Sequence, residues 1–395
     1  MGKIRLLSVF GTRPEAIKMA PLLLKLQKIG GFHSRVAVTG QHRELLHQVL
    51  REFSLTPHHD LDIMRESQTL FDTTTGVLRG LEGVLAQEKP HMLLVHGDTS
   101  TTFAAALAAF YRQIPVGHVE AGLRSFSRYF PFPEEMNRCL TSVLADLHFA
   151  PTRTARENLL REGIDPQRIM VTGNTAIDAL LMMVAKDYTF SAPSLRELDF
   201  SRRRVIVVEA HRRENWGEPL TQICTALRSV VRRHRDTLMV FPVHPNPIVQ
   251  ETVYGLLEGE ERVHLLSPLD YKDFVNLMDR AYLLVTDSGG IQEEAPSLGK
   301  PVLVLRDVTE RPEAVAAGTV KVIGTRTQPV EEALNRLFTD EEAYKGMATA
   351  VNPYGDGRAS NRIAAGLCSY FGLSHGEGKE FGEFAQGMCL EDESK

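Results

Sequence analysis

Residues 91–122 read HMLLVHGDTSTTFAAALAAFYRQIPVGHVEAG, in which two apolar runs flank an alanine-rich segment. The runs at residues 92–96 and 116–119 are short and almost free of charge, as is typical of buried strands. The segment between them carries small residues that suit a helix packed closely against a sheet. A strand, a helix and a second strand in this order predict two parallel strands joined by a crossover helix.

The same alternation extends over most of the 395 residues. Near-continuous apolar strands separated by helices predict parallel sheets covered on both faces. The sequence therefore predicts an α/β protein with two doubly wound domains and a ligand cleft between them, at the carboxyl ends of the strands. The other runs that we interpret as strands are IRLLSVF, RVAVTG, LHFAPT and RIMVTGN, then VIVVEAH, DTLMVFPVH, RVHLLSPL, AYLLVTDSGG, KPVLVLRD and TVKVIG.

The polar segment 186–204 has no clear period and is predicted to connect the two domains. We expect a first domain over residues 1–185 and a second over 200–355. A helix at about 356–372 is expected to cross back to the first domain. The Gly- and acid-rich segment 374–395 lacks apolar periodicity, which predicts a disordered tail.

The charge balance and the cysteines limit the function classes. Lys and Arg total 45 against 50 for Asp and Glu, a net charge of -5, which argues against a general binder of nucleic acids or membrane surfaces. The four cysteines form no Cys-x-x-Cys pair, so neither a disulfide framework nor a zinc site is predicted. The first apolar stretch is too short for a signal peptide, and no stretch approaches bilayer length. We therefore expect a cytoplasmic protein without a metal.

The segment GTRPEAIK at residues 11–18 follows a predicted strand and opens a helix. Arg13 and Lys18 flank the helix start, where backbone amides, the helix dipole and two cations can bind a phosphate. The alternative is a purely structural helix start, which accounts for Pro14 and Glu15 but not for the two cations.

Three carboxylates in the first half are candidate functional groups. Glu120 ends a very apolar strand, where a carboxylate is costly unless it is paired or functional. Asp98 follows another strand, and its alternative role is a helix cap. Glu134 lies in a predicted first helical turn, where an acid often simply complements the dipole.

The second half offers an anion site at its strand ends. The segment EAHRREN places His211 and Arg212 after a strand, and His244 follows the next one. In TDSGGIQEE, Ser288, Gly289 and Gly290 would let the backbone approach a phosphate closely, with Glu293 or Glu294 in reach of ribose hydroxyls. A solvated charge run and a tight Gly-Gly turn are the respective alternatives. This chemistry predicts that a nucleotide binds in the cleft, but it does not identify the nucleotide or the reaction.

The motifs GTRPEAIKMAPL, HGDTSTT, GHVEAGLRS, PEEMNR, HRREN and TDSGGIQEEAPSLGKPVLVLRDVTERPE resemble those of the non-hydrolysing bacterial UDP-N-acetylglucosamine 2-epimerases. The resemblance runs from about residue 4 to 370, with the motifs in the same order. It implies two Rossmann-like domains in the GT-B arrangement, a homodimer, and no metal or nicotinamide cofactor. It also implies a part in the biosynthesis of cell-surface polysaccharides.

The implied reaction is reversible inversion at C2 of UDP-GlcNAc to give UDP-ManNAc. It proceeds by anti elimination of UDP to 2-acetamidoglucal, followed by re-addition of UDP. Carried over by motif, the resemblance makes Asp98, Glu120 and Glu134 the acid/base candidates and His211 the group that assists the departing diphosphate. The implied UDP-binding residues are Arg13, Lys18, Phe274, Ser288, Gly289, Gly290, Glu294 and Arg311.

Two departures concern a second UDP-GlcNAc that activates the regulated members of this family. Gln41, Arg212 and His244 match the positions that touch it, but Glu44 and Ser67 replace a Gln and an Arg. An added carboxylate and a lost cation predict weaker binding of a second diphosphate. The family also usually has Thr at the position of Glu209.

Alternatives remain within the same fold. A hydrolysing epimerase would release free ManNAc, and a related enzyme would act on a diacetamido uronic acid. A GT-B glycosyltransferase is a different reaction class, and a non-catalytic nucleotide-sugar sensor is the non-enzyme hypothesis. The tetrapeptide RPEA also occurs twice, at residues 13–16 and 311–314, and we predict that Arg13 and Arg311 approach the same UDP.

Overall fold

A computed structural model describes residues 2–40, 43–63, 65 and 68–374. Within these residues the chain forms two compact units. The first contains the residues up to Met182 together with the segment that starts at Tyr354, and the second is Met183–Pro353. Of the predicted disordered tail, only residue 374 lies within the described part of the chain.

A parallel sheet of seven strands forms the centre of the described part of the first unit. Its strands are β1 (Ile4–Phe10), β2 (Phe32–Val38), β3 (His59–Asp60), β4 (Met92–His96), β5 (Val116–Val119), β6 (Leu147–Ala150) and β7 (Ile169–Val171). Their order is β3-β2-β1-β4-β5-β6-β7. The direction of winding reverses between β1 and β4, and ligands bind at the carboxyl ends of strands beside such a switch point.

The second unit has a sheet of six parallel strands in its described residues. They are β8 (Arg204–Glu209), β9 (Thr237–Pro242), β10 (Val263–Leu266), β11 (Leu283–Thr286), β12 (Val302–Val304) and β13 (Val320–Val322). Their order is β10-β9-β8-β11-β12-β13, so the switch point lies between β8 and β11.

Helices connect the strands of both units. Those of the first part of the chain are α1 (Arg13–Lys28), α2 (Arg43–Glu52), α3 (Leu70–Glu88), α4 (Ser100–Tyr111), α5 (Glu134–Leu144), α6 (Arg153–Arg161) and α7 (Thr175–Met183). The second unit adds α8 (Pro193–Arg196), α9 (Glu218–Arg233), α10 (Pro247–Leu257), α11 (Tyr271–Arg280), α12 (Gly289–Glu294), α13 (Pro312–Ala316), α14 (Thr327–Thr339) and α15 (Glu341–Ala348). The last helix, α16 (Ala359–Tyr370), belongs to the first unit and packs beside α1.

Small side chains allow α4 to pack closely, as its alanine-rich sequence predicts. Ala104, Ala105 and Ala109 are completely buried against apolar residues of the sheet such as Leu93 and Val95. Close approach of helix and sheet excludes water from this contact and stabilises it through burial of apolar surface. The helix thereby fixes the loop at the carboxyl end of β4.

The strands predicted from apolar runs are present, and the predicted fold class is confirmed. The structure also contains β3, a strand that was not predicted because its two residues, His59 and Asp60, are polar. The connecting segment 186–204 contains the short helix α8, and Asp273 accepts hydrogen bonds from the N–H groups of Ser191 and Ala192. Among the described residues, no helix is both long enough and apolar enough to cross a lipid bilayer.

Candidate active site

The carboxylate of Glu120 lies at the carboxyl end of β5. Its backbone φ of 63° lies in the left-handed region, which non-glycine residues adopt rarely and mostly at special sites. Its Oε2 lies 2.5 Å from Lys18 Nζ and 3.8 Å from His96 Nε2. The side chain is only 10% exposed, and a carboxylate at this depth is stable in its charged form only with such a partner. The structure therefore joins two predicted site residues, Glu120 and Lys18, in one ion pair.

His96, the last residue of β4, is a neighbour that the sequence analysis did not single out. Burial lowers the pKa of His96 to about 4, although the charge of Glu120 acts in the opposite direction. The ring is therefore neutral near pH 7. The sequence did carry a signal for His96. Its imidazole ends an otherwise apolar strand, and this strand lies beside β5, which immediately precedes Glu120.

Asp98 lies in the loop after β4 and is held by α5. Its Oδ2 accepts a hydrogen bond from Arg138 Nη2 at 2.6 Å, and its backbone carbonyl accepts one from Asn137 Nδ2 at 2.9 Å. Burial raises the pKa of Asp98, Arg138 lowers it, and the charges of Glu120 and Glu134 raise it further. The three predicted acid/base carboxylates are therefore electrostatic neighbours within the first unit. We call Asp98, Glu120 and Glu134 the acid cluster.

The helix starts beside the acid cluster are fixed by other residues than Asp98. Thr99 is the N-cap of α4, and its Oγ1 accepts the N–H of Thr102 at 3.1 Å. Glu15, in the first turn of α1, accepts hydrogen bonds from Thr12 N and from Thr99 Oγ1, each at 2.8 Å. Burial raises the pKa of Glu15, while these hydrogen bonds lower it. Glu15 thus ties the starts of α1 and α4 together, and the N-cap of α4 is Thr99 instead of Asp98.

In the second unit, Asp287 holds together the loops that follow β8 and β11. It is completely buried and accepts hydrogen bonds from the backbone N–H groups of His211 at 3.1 Å and Arg212 at 3.0 Å. A third comes from Asn215 Nδ2 at 2.8 Å. Burial raises the pKa of Asp287. These bonds fix the backbone position of His211 at the switch point of the sheet.

The imidazole of His211 lies between two carboxylates. Its Nδ1 lies 2.5 Å from Glu209 Oε1 and 3.4 Å from Asp287 Oδ1. The interaction with Glu209 raises the pKa of His211, and partial burial opposes this. The ring of His244 stacks on that of His211, with 6.0 Å between the ring centroids. His211 therefore keeps a positive charge to higher pH than an isolated histidine.

The first turn of α12 lies beside an arginine. Ser288 is the N-cap of this helix, and Gly289 and Gly290 are its first two residues. A Cβ placed on Gly289 would lie 3.6 Å from Arg311 Nη2, and Arg311 Nε donates a hydrogen bond to Glu293. The guanidinium of Arg311, which is paired with Glu293, therefore lies beside the first turn of α12.

The remaining predicted UDP-binding residues are partly buried. Arg13 is the first residue of α1, Phe274 lies on α11, and Glu294 is the last residue of α12. Their assignment to UDP stays a prediction.

Of the predicted allosteric residues, Gln41 and Ser67 lie outside the described residues. Glu44 is exposed on α2. Arg212 Nε donates to the backbone carbonyl of Asp287 at 2.9 Å, and His244 Nδ1 accepts the N–H of Asn246 at 3.2 Å.

Among the described residues, Glu209, His211 and Asp287 offer ligand atoms within 4.8 Å of one another, close enough to hold a metal ion. Asp287, however, already accepts hydrogen bonds from three N–H groups, and Glu209 Oε2 accepts one from Thr286 Oγ1 at 2.9 Å. This donor set fits a hydrogen-bonded carboxylate–imidazole group better than a cation site. We call Glu209, His211 and Asp287 the imidazole cluster.

Both clusters lie at the carboxyl ends of parallel strands, and a family model described as UDP-N-acetylglucosamine 2-epimerase matches residues 24–368. The chain belongs to this epimerase family. It is similar to the UDP-N-acetylglucosamine 2-epimerase of Yersinia pestis, with 54% identity over 372 residues that cover 92% of this chain and 98% of the relative. It is also similar to the enzyme of the same name from Escherichia coli K12, with 53% identity over 371 residues, 92% of this chain and 98% of the relative.

A solved structure leads to the same family. The UDP-GlcNAc 2-epimerase from Neisseria meningitidis, in a structure bound to UDP-GlcNAc, is 49% identical with a TM-score of 0.84, covering 93% of this chain and 100% of that chain. The family resemblance drawn from the motifs is therefore confirmed, as are the two Rossmann-like domains. Epimerase activity on UDP-N-acetylglucosamine is supported by family and fold together.

Proposed function

We propose that this chain interconverts UDP-GlcNAc and UDP-ManNAc without hydrolysis, by elimination and re-addition of UDP. The C2 hydrogen is not adjacent to a carbonyl, so direct deprotonation would leave an unstabilised carbanion. In anti elimination a base takes this proton, the C1–O electron pair leaves with UDP, and a C1–C2 double bond forms in 2-acetamidoglucal. UDP then re-forms the bond to C1 while a proton reaches C2 from the opposite face.

The observation that carries the proposal is the unequal environment of Glu120 and Asp98. The ion pair with Lys18 favours an ionised Glu120, which suits a base. Asp98 is also paired, with Arg138 at 2.6 Å, but burial raises its pKa above the usual value, which suits an acid. Two-face chemistry at one carbon needs one group in each state, so we assign Glu120 as the base and Asp98 as the acid for UDP-GlcNAc. Glu134 supports the acid because its charge raises the pKa of Asp98.

The leaving UDP needs positive charge and N–H donors. His211 supplies a stabilised imidazolium, and Arg311 together with the first turn of α12 supplies a guanidinium and backbone amides. We assign the ribose to Glu294 by family resemblance. The remaining contacts to UDP are assigned in the same way to Arg13, Lys18, Phe274, Ser288, Gly289 and Gly290.

Incubation with UDP-GlcNAc in deuterated water tests the proposal, with products followed by NMR. We expect one deuterium at C2 in both UDP-GlcNAc and UDP-ManNAc. Accumulation of free ManNAc and UDP would identify a hydrolysing enzyme instead. Epimerised product that carries no deuterium at C2 would contradict the elimination route.

We also propose that the chain forms a homodimer through the first unit. The carboxyl-terminal ends of the neighbouring helices α4 and α5 expose Phe110, Tyr111, Leu140 and Val143, with Val143 78% exposed. Exposed apolar side chains on adjacent helices are typical of an interface. Light scattering should give twice the chain mass for the wild type, and Val143→Asp should shift the equilibrium to the monomer. A wild type that stays monomeric at micromolar concentration would contradict this proposal.

Allosteric activation by a second UDP-GlcNAc is expected to be weak. Glu44 is exposed on α2, and its negative charge would oppose a second diphosphate at that position. Addition of UDP-GlcNAc to the reverse reaction should therefore have little effect on the rate at which UDP-ManNAc is consumed. A strong dependence on added UDP-GlcNAc would refute this expectation.

A further inference from the structure

Glu209 occupies a position that the proposed reaction leaves without a role. It is the last residue of β8 and pairs in register with Thr286, the last residue of β11, across the switch point of the sheet. Its side chain is 24% exposed and contacts the ring of His211 at 2.5 Å. A carboxylate held this close to an imidazole can set the orientation and the charge of the ring.

Hydrogen bonds hold the Glu209 carboxylate in place. Its Oε2 accepts the hydroxyl proton of Thr286 at 2.9 Å, and the same hydroxyl oxygen accepts the N–H of Ser288 at 2.9 Å. Thr286 is completely buried, so this hydroxyl has a fixed place in the sheet. A continuous chain of contacts therefore runs from the start of α12, through Thr286 and Glu209, to Nδ1 of His211.

The charged and titratable groups that face His211 are Glu209, Asp287, Arg212 and His244. Asp287 lies farther from the ring than Glu209, and three N–H groups already compensate its charge. Arg212 acts against a positive charge on the ring. Glu209 is therefore the group whose carboxylate is best placed to stabilise the imidazolium.

We propose that Glu209 is a positioning residue that fixes Nδ1 of His211 toward its own carboxylate and leaves Nε2 to face the departing diphosphate. This inference rests on the proposed function, because it deepens the part that His211 plays there. The His211 side chain is 38% exposed, so a ligand can reach the ring beyond Nδ1. Nδ1 is in contact with an anion of the protein, Glu209 Oε1, and Nε2–H can point to an anion in the substrate.

The step balances without a net proton transfer to His211. When the C1–O bond breaks, its electron pair becomes an additional negative charge on UDP. The Nε2–H of the imidazolium donates a hydrogen bond to that charge, and on re-addition the charge returns to the new C1–O bond. Glu209 compensates the imidazolium in both directions, so the ring need not change its protonation state.

Titration of His211 by NMR tests the pairing without any turnover. Protein labelled at histidine Cε1 would be compared for the wild type, Glu209→Gln and the control Glu218→Gln, with the His211 signal assigned through His211→Gln. Glu218 lies in the first turn of α9, where its carboxylate accepts a hydrogen bond from Gln222 Nε2. We expect the pKa of His211 to fall by about one to two units in Glu209→Gln, because an opposite charge at this distance is removed. It should not change in Glu218→Gln.

The pH profile of the full-length enzyme tests the consequence. In Glu209→Gln, kcat should fall roughly 10- to 100-fold, while KM changes less. Carboxylates that orient metal-bound histidines have effects of this size. The alkaline limb of the profile should move to lower pH by the same amount as the His211 pKa. Thr286→Val removes only the hydroxyl that holds Glu209. It should lower the His211 pKa and move the alkaline limb in the same direction, each by a smaller amount.

Two outcomes are decisive and distinct. An unchanged His211 pKa in folded Glu209→Gln, or a lower kcat with an unmoved alkaline limb, overturns the role of Glu209. A wild type that fails to incorporate deuterium overturns the proposed function, whereas the NMR titration still reports on the pairing.

Discussion

His96 and His211 each lie at or just after the carboxyl end of a strand beside the switch point of their sheet, and each is close to a glutamate. Their pKa values nevertheless shift in opposite directions, to about 4 for His96 and upward for His211. At His96 the ring is 3% exposed, and its glutamate, Glu120, is paired with Lys18 at 2.5 Å. At His211 the ring is 38% exposed and Glu209 contacts it directly.

A His–Glu pair therefore has no fixed charge state of its own. Burial penalises the imidazolium, and a glutamate compensates this only when its charge is not already balanced by a closer cation. The first unit therefore holds a neutral ring beside a carboxylate that is paired with Lys18. The second holds a ring that keeps its positive charge to higher pH than an isolated histidine.

Removal of the Glu120 carboxylate should have the largest effect. Glu120→Gln removes the proposed base and leaves Lys18 without that ion pair, so epimerisation should fall about 10²- to 10⁴-fold. Deuterium incorporation at C2 of UDP-GlcNAc measures this directly. The control is Glu157→Gln, an exposed position on α6. Near-normal exchange in Glu120→Gln would transfer the role of base to another carboxylate.

Unfolding measured against pH should separate the two histidines by sign. The folded pKa of His96 is lowered to about 4, so its contribution to stability is complete above the unfolded pKa near 6.5 and is lost as the pH falls toward 4. The loss amounts to roughly 3 kcal/mol. His96→Gln should flatten this part of the stability profile, as measured by urea unfolding between pH 4 and 7.

His211→Gln should act in the opposite sense. The folded pKa of His211 is raised, so its contribution is complete below the unfolded pKa and is lost as the pH rises through the folded value. An identical pH dependence of the two variants would mean that the two environments do not differ.

Substitution of the arginine in either RPEA copy should lower the affinity for UDP. Arg311 lies beside the first turn of α12, so Arg311→Ala should weaken UDP binding by roughly 10- to 100-fold, the range of a charged hydrogen bond. Arg13→Ala should also weaken it, because it removes a cation at the start of α1 that we assign to the same UDP. Calorimetric titration with UDP measures both, and an unchanged affinity in either variant would reduce that copy to a helix start.

Lys18→Met should give the smallest of these effects, a change in the pKa of His96. Without the ammonium group, the charge of Glu120 is free to act on His96, and the cation that opposes protonation of the ring is removed. We expect the pKa of His96 to rise by about one unit. NMR titration measures this, and an unchanged value would show that burial alone keeps the ring neutral.

Local sequence was sufficient for the elements and for part of the site. Apolar runs predicted the strands, and the segments after them contained the acid cluster, His211 and the start of α12. A two-residue polar strand such as β3 left no such signal. Glu15 and Asp98 could not be told apart from the sequence, because both follow a strand. Glu15 accepts hydrogen bonds at the starts of two helices, whereas Asp98 is held by Arg138 in the acid cluster.

The α/β class, the two sheets, the family, and the candidate carboxylates and cations could therefore be inferred from the sequence. Which charges meet became clear from the fold: Lys18 with Glu120, Arg138 with Asp98, and Glu209 with His211. The physical reason is that strand and helix formation depend on neighbours along the chain, whereas ionisation depends on burial and on charges a few ångströms away in space. Lys18 and Glu120 are separated by 102 residues, and no local pattern connects them.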